Sequence, residues 1–191
     1  MQDNKQQAQL KEVEPVKGSQ HRWLAVTALL LAIGAILHLV SPSIGGISPN
    51  WTIAMYSLAI NLTRPSIGQS LGIGFVAGAI NVPTSKSAFP YGNLASEAVG
   101  AVVCAILVHV FISGKLANFR FRPAVTALFA TIASGMTFIT ILKFAMNMDM
   151  HVYVYVLLPV VFGTAAANTV ITQLLYYPAE RLFRVYEGNG K

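Results

Sequence analysis

A set of polar and aromatic side chains interrupts a chain that is otherwise strongly apolar. Its members lie near the ends of apolar segments and in the loops between them: Trp51, Tyr56, Phe89, Tyr91, Asn93, Glu97, Lys143 and Asn147. A carboxylate such as Glu97 suits an ammonium group, and Lys143 or Lys86 suits a carboxylate. Aromatic rings offer flat faces to another ring. These residues together predict one cavity that holds both the charged groups of an amino acid and a flat ring.

Two of these charged residues also allow simpler interpretations. Lys143 lies about one helical turn before the end of a predicted span, where an unpaired charge costs a few kcal/mol. It either extends to the surface or pairs with Asp149, or it faces a wet cavity. Glu97 is either a helix N-terminal acid stabilised by the helix dipole or a contact of the ligand.

Motifs for catalysis and metal binding are missing from the sequence. It contains neither HExxH nor GxSxG, and no nucleophile, base and orienting group can be named together. Three histidines near apolar segments lie in separate segments: His38, His109 and His151. The single cysteine, Cys104, excludes an intramolecular disulfide and favours a packing role. We therefore expect no enzyme, no metal site and no cofactor held by this chain.

The composition of the chain indicates that it folds in a membrane. The chain has 191 residues, of which 54% are hydrophobic and 10% are charged, whereas an ordinary soluble domain has about 25% charged residues. Six spans of about 20 residues each would use nearly the whole length of the chain. The sequence therefore predicts an all-α integral membrane protein, a bundle of six transmembrane helices without a separate soluble domain.

The predicted spans follow from the apolar runs. They cover residues 23–40, 51–62, 66–82, 94–112, 124–146 and 152–177. The second is shorter than the roughly 17 residues that a span normally needs, so it is either re-entrant or extended by its loop. Pro159 is predicted to kink the sixth span or to free a carbonyl group nearby. The membrane domain is assigned to residues 22–186, between a disordered cytoplasmic tail (1–21) and a cytoplasmic C-terminal tail (187–191).

The positive charge predicts the orientation. All but two of the 13 Lys and Arg residues fall on one side of these spans, and the exceptions are Lys86 and Lys143. Because positively charged loops stay in the cytoplasm, both termini are predicted to be cytoplasmic. The basic residues flank apolar runs instead of clustering on one face, which argues against nucleic-acid binding.

Small residues recur at the spacing of helix-packing motifs. The pairs are Ala28 with Ala32, Gly68 with Gly72, and Gly74 with Gly78. In lipid, close contact through small residues is a main source of helix association. The glycine pairs are therefore predicted to pack inside the bundle.

Four sequence motifs in order carry a resemblance to a known family. They are ALLLAIGAILH (28–38), GGISPN (45–50), SAFPYGN (87–93) and LPVVFGTAAANT (158–169). With six short spans, the chain resembles the S component, the substrate-binding membrane subunit, of energy-coupling-factor transporters, and within that group the bacterial tryptophan transporter family. It departs from that family at residues 94–97, so the ligand stays open between tryptophan, a related aromatic compound and a vitamin.

The resemblance implies a function and a set of partners. It implies uptake of a small molecule captured at the outer face of the bacterial plasma membrane. A transmembrane coupling subunit would contact Ala28 and Ala32, and cytoplasmic ATPase subunits would bind the ATP. Two alternatives stay open: a stand-alone proton- or ion-coupled secondary transporter with Glu97 or Asp149 as the titrating group, and a membrane assembly protein that transports nothing.

Overall fold

The computed structural model describes residues 22–42, 49–85, 87–114 and 119–188, and within these ranges the chain is helical with no strand. The first five helices are α1 (Arg22–Val40), α2 (Trp51–Thr63), α3 (Ile67–Thr84), α4 (Gly92–Ser113) and α5 (Arg122–Ala145). A short helix α6 (Met150–Val152), a π-helical turn (Tyr153–Leu157) and α7 (Leu158–Gly188) follow as one continuous rod. The all-α prediction is confirmed. Lys86 and the predicted tail at 1–21 lie outside the described residues.

Four stretches of these described helices are long and apolar enough to cross a membrane: Trp23–Val40, Gly92–Ser113, Arg122–Ala145 and Met150–Phe183. Each matches a predicted span and is long enough for a hydrocarbon layer of about 30 Å. Helices α2 and α3 match the other two predicted segments in position. That these two also cross, and that both termini are cytoplasmic, stay predictions.

Helix α2 is the centre of the bundle, which explains its shortness. Every residue from Thr52 to Asn61 is buried, and the helix contacts α1, α3, α4, α5 and α7. The Asn50 side chain caps its N-terminus by accepting the Ile53 N–H at 3.2 Å, and Arg64 ends it in the left-handed conformation (φ 51°). A helix surrounded by protein does not meet lipid, so its length need not match the bilayer.

Close packing of α3 against α4 depends on two glycines. A Cβ atom on Gly74 would lie 2.5 Å from Ala98 Cα, and one on Gly78 would lie 2.6 Å from the Asn93 carbonyl oxygen. Neither distance is compatible with a side chain. The predicted internal packing is therefore confirmed for this pair, and it fixes the height at which the start of α4 sits beside α3.

The other small residues lie on the outside of the bundle. Gly68 and Gly72 are exposed, and a Cβ atom on either would meet nothing within 4 Å. The prediction of internal packing is wrong for this pair, because it lies on the side of α3 that faces away from α4. Ala28 and Ala32 are exposed on α1, and so both are accessible to another membrane helix.

The last helix agrees with its prediction near Pro159 and departs from it at the C-terminal end. The N–H group of Leu158 bonds to the Tyr153 carbonyl, five residues back, in the π-helical turn directly before Pro159. Proline has no N–H to donate, so a widened turn next to it agrees with the predicted irregularity. The helix then continues to Gly188, beyond the predicted end at residue 177, with Pro178 inside it. Membrane helices tolerate such a proline when neighbouring groups satisfy the freed carbonyl.

Candidate functional site: a cavity around Glu97

A cavity of about 340 Å³ opens at one end of the bundle, which we call the pocket end; here α3 finishes and α4 begins. Its volume is within the range of about 300–1,000 Å³ typical of small-molecule sites. The wall combines an apolar part, mostly on α5 and α7, with a polar part to which all the helices from α1 to α5 or their caps contribute. The apolar part includes Phe138, Ile139, Leu142 and Val161, and the polar part includes His38, Asn50, Asn81, Asn93, Glu97 and Ser134.

The carboxylate of Glu97 is the focus of the polar wall. Glu97 is only 1% exposed. Its Oε1 atom accepts hydrogen bonds from Asn50 Nδ2 at 2.9 Å and Asn81 Nδ2 at 2.8 Å, and its Oε2 atom accepts one from Ser134 Oγ at 3.2 Å. Thr52 Oγ1 donates to Asn81 Oδ1 at 2.8 Å and so fixes the direction of that amide. Three other segments of the chain, at the start of α2, on α3 and on α5, therefore position one carboxylate of α4.

The partners of Glu97 in the described structure are all neutral. Amides and a hydroxyl group donate hydrogen bonds to the carboxylate, but they do not cancel its charge. A buried ion without an opposite charge is costly. Because this carboxylate lies on the wall of a cavity, a ligand with an ammonium group would supply the missing charge at the point where the donors hold both oxygens.

Only two residues of the predicted binding set, Asn93 and Glu97, line the cavity. Tyr56 is fully buried, with its hydroxyl group beside Gly100 and Ser134. Trp51 donates its indole N–H to the Ser41 hydroxyl, and Ser41 is on the cavity wall. These two rings therefore support the wall from behind.

The other predicted aromatic contacts, Phe89 and Tyr91, lie together in the loop that precedes α4. Their ring centroids are 6.3 Å apart in a T-shaped arrangement, and Tyr91 is 65% exposed. Neither ring is part of the cavity wall. A binding role for either one stays a prediction.

Lys143 and Asn147 lie away from the cavity wall. Lys143 Nζ is 2.9 Å from Met150 Sδ and 5.5 Å from the centroid of the Tyr153 ring. Its neighbour Leu142 is on the wall, and one residue further turns the side chain by about 100° around a helix of 3.6 residues per turn. Asn147 is exposed in the turn after α5, with φ 48°.

The sequence-based site lacked several residues that the structure brings to the wall. Asn50, Asn81 and Ser134 all contact Glu97; each is polar within or beside an apolar segment, which is the signal that would have found them. His38 is the basic side chain on the wall among the described residues. The same described residues contain no group of three metal-binding side chains.

A second buried charge, Arg122, lies at the opposite end of the bundle, where α5 begins. Its Nη2 atom donates to Tyr176 Oη at 2.7 Å and to the Asn61 carbonyl at 3.4 Å, and its Nε atom donates to Asn61 Oδ1 at 3.3 Å. Tyr176 in turn donates to Glu180 at 3.4 Å. We call these four residues the arginine cluster. Nothing in the spacing of the sequence predicted it.

Comparison with known proteins finds a matching family and similar sequences. The family model described as "Tryptophan transporter TrpP" matches residues 20–184. A probable tryptophan transport protein of Bacillus subtilis (strain 168) is 29% identical, with 81% of this chain and 88% of the relative covered. One of Clostridium perfringens (strain 13 / Type A) is also 29% identical, with 84% and 92% covered. No solved structure matches the chain.

Proposed function

Because the chain belongs to the tryptophan transporter TrpP family, we propose that it takes up tryptophan or a closely related aromatic amino acid, which it binds in the cavity around Glu97. The protein is a multi-pass membrane protein with long apolar helices. We place it in the bacterial plasma membrane with both termini in the cytoplasm, because that orientation puts the positively charged loops inside. The pocket end then faces outward.

The observation that carries the proposal is the buried carboxylate with neutral partners on a cavity wall. Glu97 binds the α-ammonium group of the ligand, and the amides of Asn50 and Asn81 hold the carboxylate in place for it. The indole ring packs on the apolar part of the wall, against Phe138 and Val161. A pocket that is mostly apolar with a few convergent polar groups is the usual design for such a ligand.

The ligand's own carboxylate needs a separate partner. His38 and Asn93 both line the cavity and provide hydrogen-bond donors for it. Lys86, which the sequence analysis considered for this role, lies outside the described residues. Trp51 and Tyr56 affect ligand binding indirectly, because they hold residues of the cavity wall in place.

We assign the chain to the substrate-binding subunits of energy-coupling-factor transporters. The exposed Ala28 and Ala32 on α1 support this assignment, since small exposed residues let a partner helix approach closely. The partners would be a transmembrane coupling subunit and cytoplasmic ATPase subunits that bind the ATP. The alternative is a stand-alone secondary transporter. The observation on its side is the set of buried polar groups that lies deeper in the bundle.

Calorimetric titration of the purified full chain tests the ligand. L-Tryptophan is compared with tryptamine, which lacks the carboxylate, indole-3-propionate, which lacks the ammonium group, and a panel of vitamins. We expect saturable binding of tryptophan, weaker binding of tryptamine and the weakest binding of indole-3-propionate. Equal affinity for tryptophan and indole-3-propionate, or binding of a vitamin alone, contradicts the proposed role of Glu97.

Uptake of radiolabelled tryptophan into liposomes tests the partners. If partner subunits drive transport, liposomes that hold this chain alone show no uptake, and uptake in cells is lost in the Ala28→Leu/Ala32→Leu variant. Ala166→Leu, an exposed alanine on α7, is the matched control and keeps uptake. Proton- or sodium-driven uptake by the chain alone supports the secondary transporter instead.

A further inference from the structure

A row of polar side chains runs along α7 from the cavity towards the arginine cluster. It recurs at every fourth residue and comprises Thr164, Asn168, Thr172, Tyr176 and Glu180. Thr164 is on the cavity wall, and Tyr176 and Glu180 belong to the arginine cluster. At 1.5 Å per residue the row is about 24 Å long, which is most of a hydrocarbon layer of about 30 Å.

The opposite wall of this row is also polar. Thr131 on α5 accepts a hydrogen bond from Asn168 Nδ2 at 3.2 Å. Thr126, also on α5, accepts one from Asn61 Nδ2 of α2 at 2.8 Å. We call the row on α7 with Thr126 and Thr131 the polar seam.

Two buried groups of the seam have no hydrogen-bond partner: Asn168 Oδ1 and Thr172 Oγ1. Other hydroxyl groups in these helices behave differently. Thr131 donates to the Ala127 carbonyl at 2.8 Å, and Thr169, three residues before Thr172, donates to the Ala165 carbonyl at 2.7 Å. This bond to the fourth preceding carbonyl is the usual one for a helical threonine, so Thr172 departs from a pattern that its neighbour follows.

Unpartnered polar groups are expensive in the interior of a membrane protein. A buried water molecule typically makes about three hydrogen bonds and satisfies such groups where two to four polar partners converge. We propose that the polar seam binds a file of internal water molecules that connects the ligand cavity to the arginine cluster, and that Arg122 closes this file at its far end. The file hydrates the bundle interior along the direction of transport. Only its consequence for uptake rests on the proposed function.

The sign of a stability change distinguishes a wet seam from a dry one. Thr172→Val removes the hydroxyl group and keeps the shape of the side chain. If water bonds to this hydroxyl, the Tm of the purified full chain falls by about 2–4 °C, the shift that one lost hydrogen bond gives in a chain of this size. If the hydroxyl is dry and unpartnered, its removal raises the Tm. Thr169→Val removes a hydroxyl group that bonds to the Ala165 carbonyl at 2.7 Å, and it provides the reference Tm shift for one lost hydrogen bond. An unchanged or raised Tm for Thr172→Val overturns the proposal.

Radiolytic labelling in ¹⁸O water provides a second readout that needs no ligand. Cys104 is fully buried beside Ser57 and Thr126, whereas Met55 is 2% exposed and packs against Gly34 of α1. Both sulfur atoms oxidise readily, and the rate of each residue, divided by its own rate in the unfolded chain, reports the water next to it. We expect faster ¹⁸O incorporation at Cys104 than at Met55. Equal or slower labelling of Cys104 overturns the water file.

The consequence for transport is tested last. Thr172→Val should leave the affinity for tryptophan unchanged, because Thr172 is not on the cavity wall, and should lower the uptake rate several-fold. Uptake equal to that of Thr169→Val contradicts the role of the seam in transport. If tryptophan does not bind at all, the proposed function fails, whereas the Tm and labelling results still decide the water file.

Discussion

Among the described residues the bundle buries two charged side chains, and it holds them in opposite ways. Glu97 lies at the pocket end on the wall of an open cavity, with three neutral donors and its charge uncancelled. Arg122 lies at the other end in packed protein, between an amide oxygen, a backbone carbonyl and a tyrosine, with its guanidinium carbon 5.6 Å from the centroid of the Tyr176 ring.

This difference teaches which buried charges to associate with ligand binding. Arg122 directs its donors at acceptors of α2 and α7, so its charge serves the contact between three helices. The donors around Glu97 point at its carboxylate, and the carboxylate lies beside an open cavity. A charge beside a cavity is available to a ligand, whereas a charge saturated by the fold stabilises that fold. Each prediction below tests one side of this contrast.

The largest effect is expected from Arg122→Leu. The change leaves Asn61 Oδ1 without its donor and removes the link from α5 to Tyr176 on α7. Breaking a buried charged network of this kind costs about 3–5 kcal/mol. We expect a large fall in the Tm in detergent, measured by differential scanning fluorimetry. Arg120→Leu, at an exposed position just before α5, is the control, and equal Tm values for the two variants would show that the cluster contributes no stability.

The next effect separates binding from stability at the pocket end. In Glu97→Gln the amide oxygen still accepts from Asn50 and Asn81, so the fold keeps its hydrogen bonds and the Tm is unchanged or higher. The ammonium group of the ligand loses its partner. Truncating one side of a buried charge pair costs about 2–5 kcal/mol, or at least about 30-fold in Kd for tryptophan.

The control for this prediction is Glu180→Gln, which changes a carboxylate at the opposite end of the bundle. Its affinity for tryptophan should equal that of the unchanged protein in the same titration. Indole-3-propionate should bind the Glu97→Gln variant and the unchanged protein about equally, because it has no ammonium group to lose. A loss of the same size for both ligands would show that Glu97 shapes the cavity and does not recognise the ammonium group.

A third prediction concerns the backbone packing that places Glu97. Gly74→Ala puts a methyl group 2.5 Å from Ala98 Cα, next to Glu97 on α4. Such overpacking costs about 1–3 kcal/mol, so the Tm falls and tryptophan binding weakens with it. Gly72→Ala meets nothing within 4 Å and gains up to about 1 kcal/mol of helix propensity. Thermal melts of both variants should therefore shift in opposite directions, and a parallel shift would contradict the close approach of α3 and α4.

Most of the fold was predictable from the sequence, because long apolar runs bounded by proline, glycine and charge determine where membrane helices lie. The predicted segments match α1 to α5 in order and nearly in length. The extension of α7 to Gly188 was not predicted, because Pro178 and a polar end are typical of a helix terminus.

The site was predictable only in part, for a geometric reason. Glu97 and Asn93 stood out by type, and both reach the cavity wall. Helices that are apolar on all sides carry no periodic signal of which face points inward. Asn81 and Ser134 are marked as candidates by being polar within apolar segments, but the sequence does not show that they face the same cavity as Glu97, and it does not exclude Lys143 from the wall. Lys143 follows Leu142, which is on the wall, and the rotation of about 100° per helical residue turns its side chain away from the cavity.

The last prediction tests how the cavity holds the carboxylate of the ligand. His38→Leu removes the basic side chain from the described wall. Losing a hydrogen bond to a charged group costs about 1.5–3 kcal/mol, or at least about tenfold in Kd. We expect this loss for tryptophan and not for tryptamine, which has no carboxylate. In Lys143→Met both affinities should stay within error, because Lys143 Nζ lies against Met150 and Tyr153 instead of the cavity. If Lys143→Met weakens tryptophan binding and His38→Leu does not, the carboxylate of the ligand lies towards α5. Lys143 then belongs to the binding site and His38 does not.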